Sequence, residues 1–288
     1  MSVLYRLMSH NVWDNDKNRP EWEEKGEDCS AEVRVKGLLR VYKETAPDVI
    51  GGQEFSALMA DLLVEGLAEL GWRYTLVWGR CTPILYRSDK FELLDSEFGS
   101  YPEAIEGFEG SFNNHRTKSW NLAVLRSKEN GQTFVFATTH LWWKKSPCEE
   151  FPLGHPKAQP HSDEARAIQL ASLGEKVDEY REKYSCPAVI VGDMNTVYSA
   201  PAIQNILGRG YRHAHDIATD FADDTVGRHN CYPWGYETYY WEGGFARAID
   251  HILVRGEPDG AVKRFERYSP EYFYPISDHS AVYIDIEL

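Results

Sequence analysis

The sequence predicts an α/β (α+β) fold in which buried strands alternate with amphipathic helices and several strands end in acids, amides or histidines. Three observations predict it. Ala188-Val189-Ile190-Val191-Gly192-Asp193-Met194-Asn195 runs three β-branched residues into a Gly-Asp-x-Asn end, the pattern of a strand buried on both faces. Apolar residues recur at helical spacing after Ser30, Ser56 and Ser162. Between residues 72 and 98, short strand-like runs follow one another with no helix between them, which points to antiparallel pairing.

Each element has its own local signal. The first strand starts at Leu4 and reaches Ser9-His10-Asn11-Val12-Trp13, leaving Asn11 at a strand end before the polar stretch 14–19. Ser30 suits the cap of a helix carrying Val35, Leu38, Leu39, Tyr42 and Ala46, which Pro47 stops. Asp48-Val49-Ile50-Gly51-Gly52-Gln53-Glu54 is a short strand ending in an acid, and its glycines either admit a ligand close to the backbone or bend an edge. Ser56 caps a helix with Leu58, Met59, Leu62, Leu63, Leu67 and Leu70, ending at Gly71. A Gly-rich acidic loop, 101–114, precedes His115-Arg116-Thr117-Lys118-Ser119, whose Arg116 and Lys118 are candidate phosphate-binding groups. Asn130-Gly131 marks a hairpin between Trp120–Leu125 and Phe134–His140. Trp142-Trp143-Lys144-Lys145 combines rings that stack on a base with charges that attract phosphate.

Ser162 is read as the cap of a helix with Ala165, Ile168, Leu173, Val177 and Tyr180 inward, and Pro201–Leu207 as a short helix. His213-Ala214-His215-Asp216 resembles half a metal site, but no further ligands follow at a zinc spacing, so a structural role is favoured. An aromatic loop spans 221–244. In Ala248–Val254, Asp250 interrupts an apolar strand, and an unpaired acid there would cost several kcal/mol, so it needs a buried partner. Ser277-Asp278-His279-Ser280 leads into the C-terminal strand Ala281–Leu288.

Composition narrows the function. A chain of 288 residues without linker, repeat or low-complexity run is expected to form a single domain over 1–288. With 31 Lys and Arg against 45 Asp and Glu, the net charge of −14 repels a long polyanion, so any nucleic-acid contact is local or metal-bridged. Five scattered cysteines with no Cys-x-x-Cys support neither a disulfide framework nor a zinc knuckle. No twenty-residue apolar segment and no secretory leader is evident, so a cytoplasmic protein without membrane association is expected, and no protein partner is implied.

The spacing of Asp193 and Asn195 suits a carboxylate that takes a proton from water beside an amide that grips an anionic oxygen. Alone, the pair reads equally as a turn. Recurrence of such residues at other strand ends favours the chemical reading.

Asn11, Gln53-Glu54, Thr139-His140-Leu141, Gly192-Asp193-Met194-Asn195, Ile249-Asp250 and Ser277-Asp278-His279, in this order, resemble the motif set of the endonuclease/exonuclease/phosphatase superfamily across almost the whole chain. The resemblance implies a four-layer sandwich, two face-to-face, mostly antiparallel sheets flanked by helices, and Mg2+- or Mn2+-dependent hydrolysis of phosphoesters. It implies Glu54 as principal metal ligand, helped by Asn11 and, through a second site or a water, by Asp278, which suits a hard cation. It also implies Asp193 as the base, Asn195 and His140 on the phosphoryl oxygens, and His279 stabilising charge with Asp250 behind it. Trp13 and Trp142 stand where DNA-repair members often carry an acid, which moves the chain away from that group. The expected activity is hydrolysis of a phosphodiester at a nucleic-acid end or nucleotide. The alternatives are a phosphatase of a small phosphorylated metabolite or sugar and, of another class, a catalytically silent binding module, against which the intact residue set argues.

Overall fold

The computed structural model describes residues 2–13, 24–26, 28–221, 248–268, 270, 272 and 276–288; Asp14 and all of the aromatic loop 221–244 but its first residue lie outside them. Continuous burial, with successive residues turned to opposite faces, builds the centre. In β1 (Leu4–Asn11), Leu7 faces one apolar cluster and Met8 another, so the strand is covered on both faces. The same division holds in β8 (Ala188–Asp193), where Val189 and Val191 share the cluster of Leu7 while Ile190 faces the opposite way.

Two mixed sheets result. The first pairs β1 with β2 (Val49–Gln53) in parallel and with β13 (Ala281–Glu287) antiparallel. It continues through β4 (Ile84–Arg87) to β3 (Tyr74–Val77) on one side, and through β12 (Val262–Tyr268) to β10 (Asp220–Phe221) on the other. The second has the order β5 (Phe91–Ser100), β6 (Ser119–Ser127), β7 (Thr133–His140), β8, β11 (Asp250–Arg255), β9 (Arg212–His213), with only β7 and β8 parallel. Their inner faces share one apolar core that includes Leu7, Val49, Phe136, Val191, Ile252 and Ile284. Helices α1 (Ala31–Thr45) and α2 (Ala57–Glu69) cover the outer face of the first sheet, and α3 (Ser162–Tyr184) and α4 (Pro201–Gly208) that of the second. A one-turn helix, α5 (Ala214–Ile217), follows β9. The four layers and the predominantly antiparallel pairing agree with the expected sandwich.

Local signals hold in most places. The Ser56 hydroxyl accepts the Met59 N–H at 3.1 Å, and Ala46, left-handed at φ 48°, ends α1 before Pro47. The Asn130-Gly131 turn joins the antiparallel pair β6 and β7. Four readings are corrected. β5 does not pair with β4 but crosses to the other sheet and pairs with β6. β2 lies between β1 and β4, so its glycines bend no edge; a Cβ at Gly51 would sit 2.5 Å from the Val191 side chain, so the residue serves close approach of the two sheets. The cap of α3 is His161, and Ser162 instead bonds the Gln159 carbonyl from the first turn. On that helix Ile168 is exposed, while Arg166 and Gln169 point inward with Ala165, Leu170, Leu173 and Val177. No described helix is long and apolar enough to cross a membrane.

Candidate active site

One end of the sandwich gathers the polar strand ends. Parallel neighbours β1 with β2, and β7 with β8, finish there, and their antiparallel neighbours β6, β11 and β13 begin there. Register does the rest: Asp193 lies opposite both His140 and Asp250, and Ser119 lies opposite His140. Gly192 is required for this. A Cβ at that position would fall 2.1 Å from the Thr139 carbonyl oxygen, so a side chain would push β8 away from β7 just where His140 and Asp193 meet.

Asp193 is the hub and is 2% exposed. One carboxylate oxygen accepts the Asn195 N–H at 2.9 Å; the other accepts Asn11 Nδ2 at 3.0 Å from across the sandwich. That second oxygen also lies 3.4 Å from His140 Nε2 and 3.8 Å from His279 Nε2. His279 Nδ1 donates to Asp250 Oδ2 at 2.8 Å, which supplies the buried partner that Asp250 needs and turns Nε2 towards Asp193. Asn195 adopts a left-handed conformation, φ 50°, and donates its amide to the Leu141 carbonyl.

The sheet containing β2 contributes Glu54, also left-handed at φ 55°, whose carboxylate reaches within 3.8 Å of His140 Nε2. Gln53, fully buried, ties the preceding turn to the opposite sheet through the Thr138 hydroxyl at 2.8 Å. Glu54, His140 and Asp193 bring ligand atoms within 4.8 Å of one another, a donor set rich in carboxylate oxygen that fits a hard divalent cation. Asn11 Oδ1 accepts the Trp13 N–H, so this residue bridges backbone and Asp193. Asp278 lies 3.9 Å from His279 Nε2, the nitrogen that also faces Asp193, and belongs to neither close cluster of ligand atoms found among the described residues, that of Glu54, His140 and Asp193 or that of Asp193, Asp250 and His279.

A cleft of about 440 Å³ opens over these groups, with Glu54, His140, Asp193, Asn195 and His279 on its floor. Lys118 lines it and sets its ammonium 2.5 Å from His140 Nε2; Asn113, unremarked in the sequence, fixes the Lys118 backbone through both amide atoms. Arg116 is exposed and does not line the cleft. Trp142 is a correction: it is 1% exposed, packs against Phe112 and Ala165, and offers no face to a substrate, whereas Trp143 forms part of the cleft wall.

Buried histidines stand behind the site, and two of them, His10 and His251, escaped sequence reasoning. His213, taken as structural, donates through Nε2 to His251 Nδ1 at 3.0 Å, and His251 Nε2 donates to the Thr196 carbonyl at 2.8 Å, which steadies the loop after Asn195. The direction of this chain follows from His213 Nδ1 accepting the His215 N–H. His10, fully buried, meets the Tyr42 hydroxyl at 3.1 Å and the backbone of His279. Alternation along β1 was the available signal: His10 faces away from Asn11.

Burial, with the nearby His279, pushes His10 down from 6.5 to about 3. Its folded pKa lies below its unfolded one, so its contribution to stability is present above pH 6.5 and is lost as pH falls towards 3. Urea unfolding at a series of pH values should show a slope at pH 4–6 that is shallower in His10→Asn by about 1.4 kcal/mol per pH unit. Equal slopes in a folded variant would show that His10 is not the acid-sensitive group.

The family model described as Endonuclease/Exonuclease/phosphatase family matches residues 8–279. The chain belongs to that family. Solved structures share its fold at low identity. A family protein from Bacteroides thetaiotaomicron is 17% identical, with 100% of this chain and 96% of that chain covered and a TM-score of 0.74. A mannosyl-6-phosphatase from the same organism is 16% identical over 99% of each chain, TM-score 0.71. D. rerio TDP2, complexed with a single-strand DNA product, is 18% identical over 98% of each chain, TM-score 0.63. No curated protein matches in sequence. Members of this family are hydrolases of phosphoester bonds, and their dependence on metal accords with the carboxylate and imidazole donors gathered in the cleft.

Proposed function

We propose that this family member hydrolyses a phosphoester by direct attack of water, with a nucleotide or the end of a nucleic acid as the phosphodiester substrate. The observation that carries the reading is the convergence on Asp193 of Asn11, Asn195, His140 and His279, the last backed by Asp250. Asp193 accepts the proton of the attacking water. The new P–O bond forms as the bond to the leaving oxygen breaks. His140 and the Asn195 amide hold the phosphoryl oxygens, Lys118 adds positive charge beside His140, and His279 stabilises developing negative charge with Asp250 opposing its own. Glu54, in the cluster with Asp193 and His140, would hold Mg2+ or Mn2+ with help from Asn11 and, through a second site or a water, from Asp278; the ion when bound polarises the phosphoryl group.

A compact substrate is favoured because the cleft is small and the net charge of −14 opposes a long polyanion. That same charge supports the second reading, a phosphatase of a small phosphorylated metabolite. A panel of nucleotides, sugar phosphates and nitrophenyl phosphoesters, assayed with Mg2+ or Mn2+, tests both. Turnover is expected to vanish in excess chelator and return with either metal. Full turnover in excess chelator would sink the metal assignment, and hydrolysis of phosphomonoesters alone would favour the second reading.

A further inference from the structure

One wall of the cleft is held by a device that the hydrolytic residues do not use. Trp143 is half-buried and lines the cleft, with the ring of Trp142 beneath it at 6.1 Å and tilted by 52°. Arg166, 2% exposed, donates Nη1 to the carbonyls of Trp142 at 3.1 Å and Lys144 at 2.5 Å, the two residues flanking Trp143, and Nη2 to the Asp163 carboxylate. Gln169 accepts the Trp142 N–H at 2.9 Å and donates to the Phe112 carbonyl at 3.0 Å.

Burying a guanidinium and an amide is costly unless their hydrogen bonds are made, and here those bonds are spent on backbone on either side of one aromatic ring. Desolvation lowers the pKa of Arg166, as such burial requires. The consequence is a loop whose backbone is pinned on both sides of Trp143, a residue that lines the cleft. Rigid placement matters for a stacking surface, because the partner then loses less freedom on binding. Asn114, Thr117 and Lys118 add polar groups to the lining of the same cleft. Lys144 sets its ammonium 5.7 Å from the Trp143 centroid, which brings positive charge to this wall of an acidic molecule.

We propose that Trp143 is a stacking platform that takes a planar ring of the substrate, so that the substrate class is a ring-bearing phosphoester such as a nucleotide rather than an aliphatic or sugar phosphate. The location of the phosphoryl group rests on the hydrolytic reading above; the platform itself rests on the clamped wall. A neutral nucleobase escapes the repulsion that the net charge imposes on phosphates, and the cleft volume of about 440 Å³ falls within the range of small-ligand sites.

The test compares kcat/KM for thymidine 5′-(p-nitrophenyl phosphate) and for glycerol 2-phosphate in wild type, Trp143→Ala and Trp143→Phe, with Mg2+ or Mn2+. Trp143→Ala should lose roughly ten- to hundredfold on the ring-bearing substrate, mainly through KM, because stacking is lost alike from ground and transition states. Its loss on glycerol phosphate should be at least tenfold smaller, and Trp143→Phe should recover most of the difference. Equal losses on the two substrates, or none on the ring-bearing one, would overturn the platform and leave hydrolysis standing. If wild type turns over only one of them, or neither, calorimetric binding of adenosine 5′-phosphate decides the platform alone, and failure on both also removes the hydrolytic reading. Weaker binding to Trp143→Ala, restored in Trp143→Phe, supports it; undiminished binding, or no binding to wild type, overturns it.

Discussion

Asp193→Asn is expected to lower kcat by on the order of a thousandfold or more, within or beyond the range of lost general-base catalysis. The variant removes the proton acceptor while keeping nearly the same volume. Its effect on stability is not zero. The two carboxylate oxygens face two donors, the Asn195 N–H and Asn11 Nδ2, and an amide offers an acceptor to only one of them. Loss of one buried hydrogen bond should cost about 1 kcal/mol, which a folded chain of this size tolerates. KM should stay level or drop, because a negative charge facing an anionic substrate is gone. Steady-state kinetics beside a thermal melt checks both parts. Wild-type turnover in the folded variant would remove Asp193 from the centre of the reaction.

The second large effect is expected of Asp250→Asn. Asp250 is 1% exposed, and its contact with His279 Nδ1 is the bond that turns Nε2 towards Asp193. An amide oxygen accepts the same bond, so the fold should persist, but no charge then opposes an imidazolium that forms during the reaction. A fall in kcat of roughly a hundredfold to ten-thousandfold is expected, with little change in KM. The pH–rate profile separates this from a structural defect, because the limb belonging to His279 should move in Asp250→Asn while a merely destabilised enzyme keeps its shape. Undisturbed turnover and profile in a folded protein would reduce Asp250 to a structural acid.

The sequence by itself determined most of the strands and helices and the order of polar strand ends, because these depend on period, caps and turns within a few residues; β12 and the short β9, β10 and α5 were not read from it. Val189 to Val191 demanded a strand covered on both faces, Asn130-Gly131 demanded a hairpin, and the cost of an isolated Asp250 demanded a partner, found in His279. Tertiary structure alone decided which face of an element became interior. Alternation separates Trp142 from Trp143 but does not say which of them enters the core, and only the packing of Phe112 and Ala165 buried Trp142. On α3, spacing favoured Ile168 as an inward residue, yet Arg166 and Gln169 took that side because loop carbonyls from residues 112, 142 and 144 were there to accept their hydrogen bonds. The same holds for His10 and His251, whose partners Tyr42 and Thr196 lie 32 and 55 residues away along the chain. Polar groups are buried where distant partners satisfy them, and no local pattern records where those partners will be.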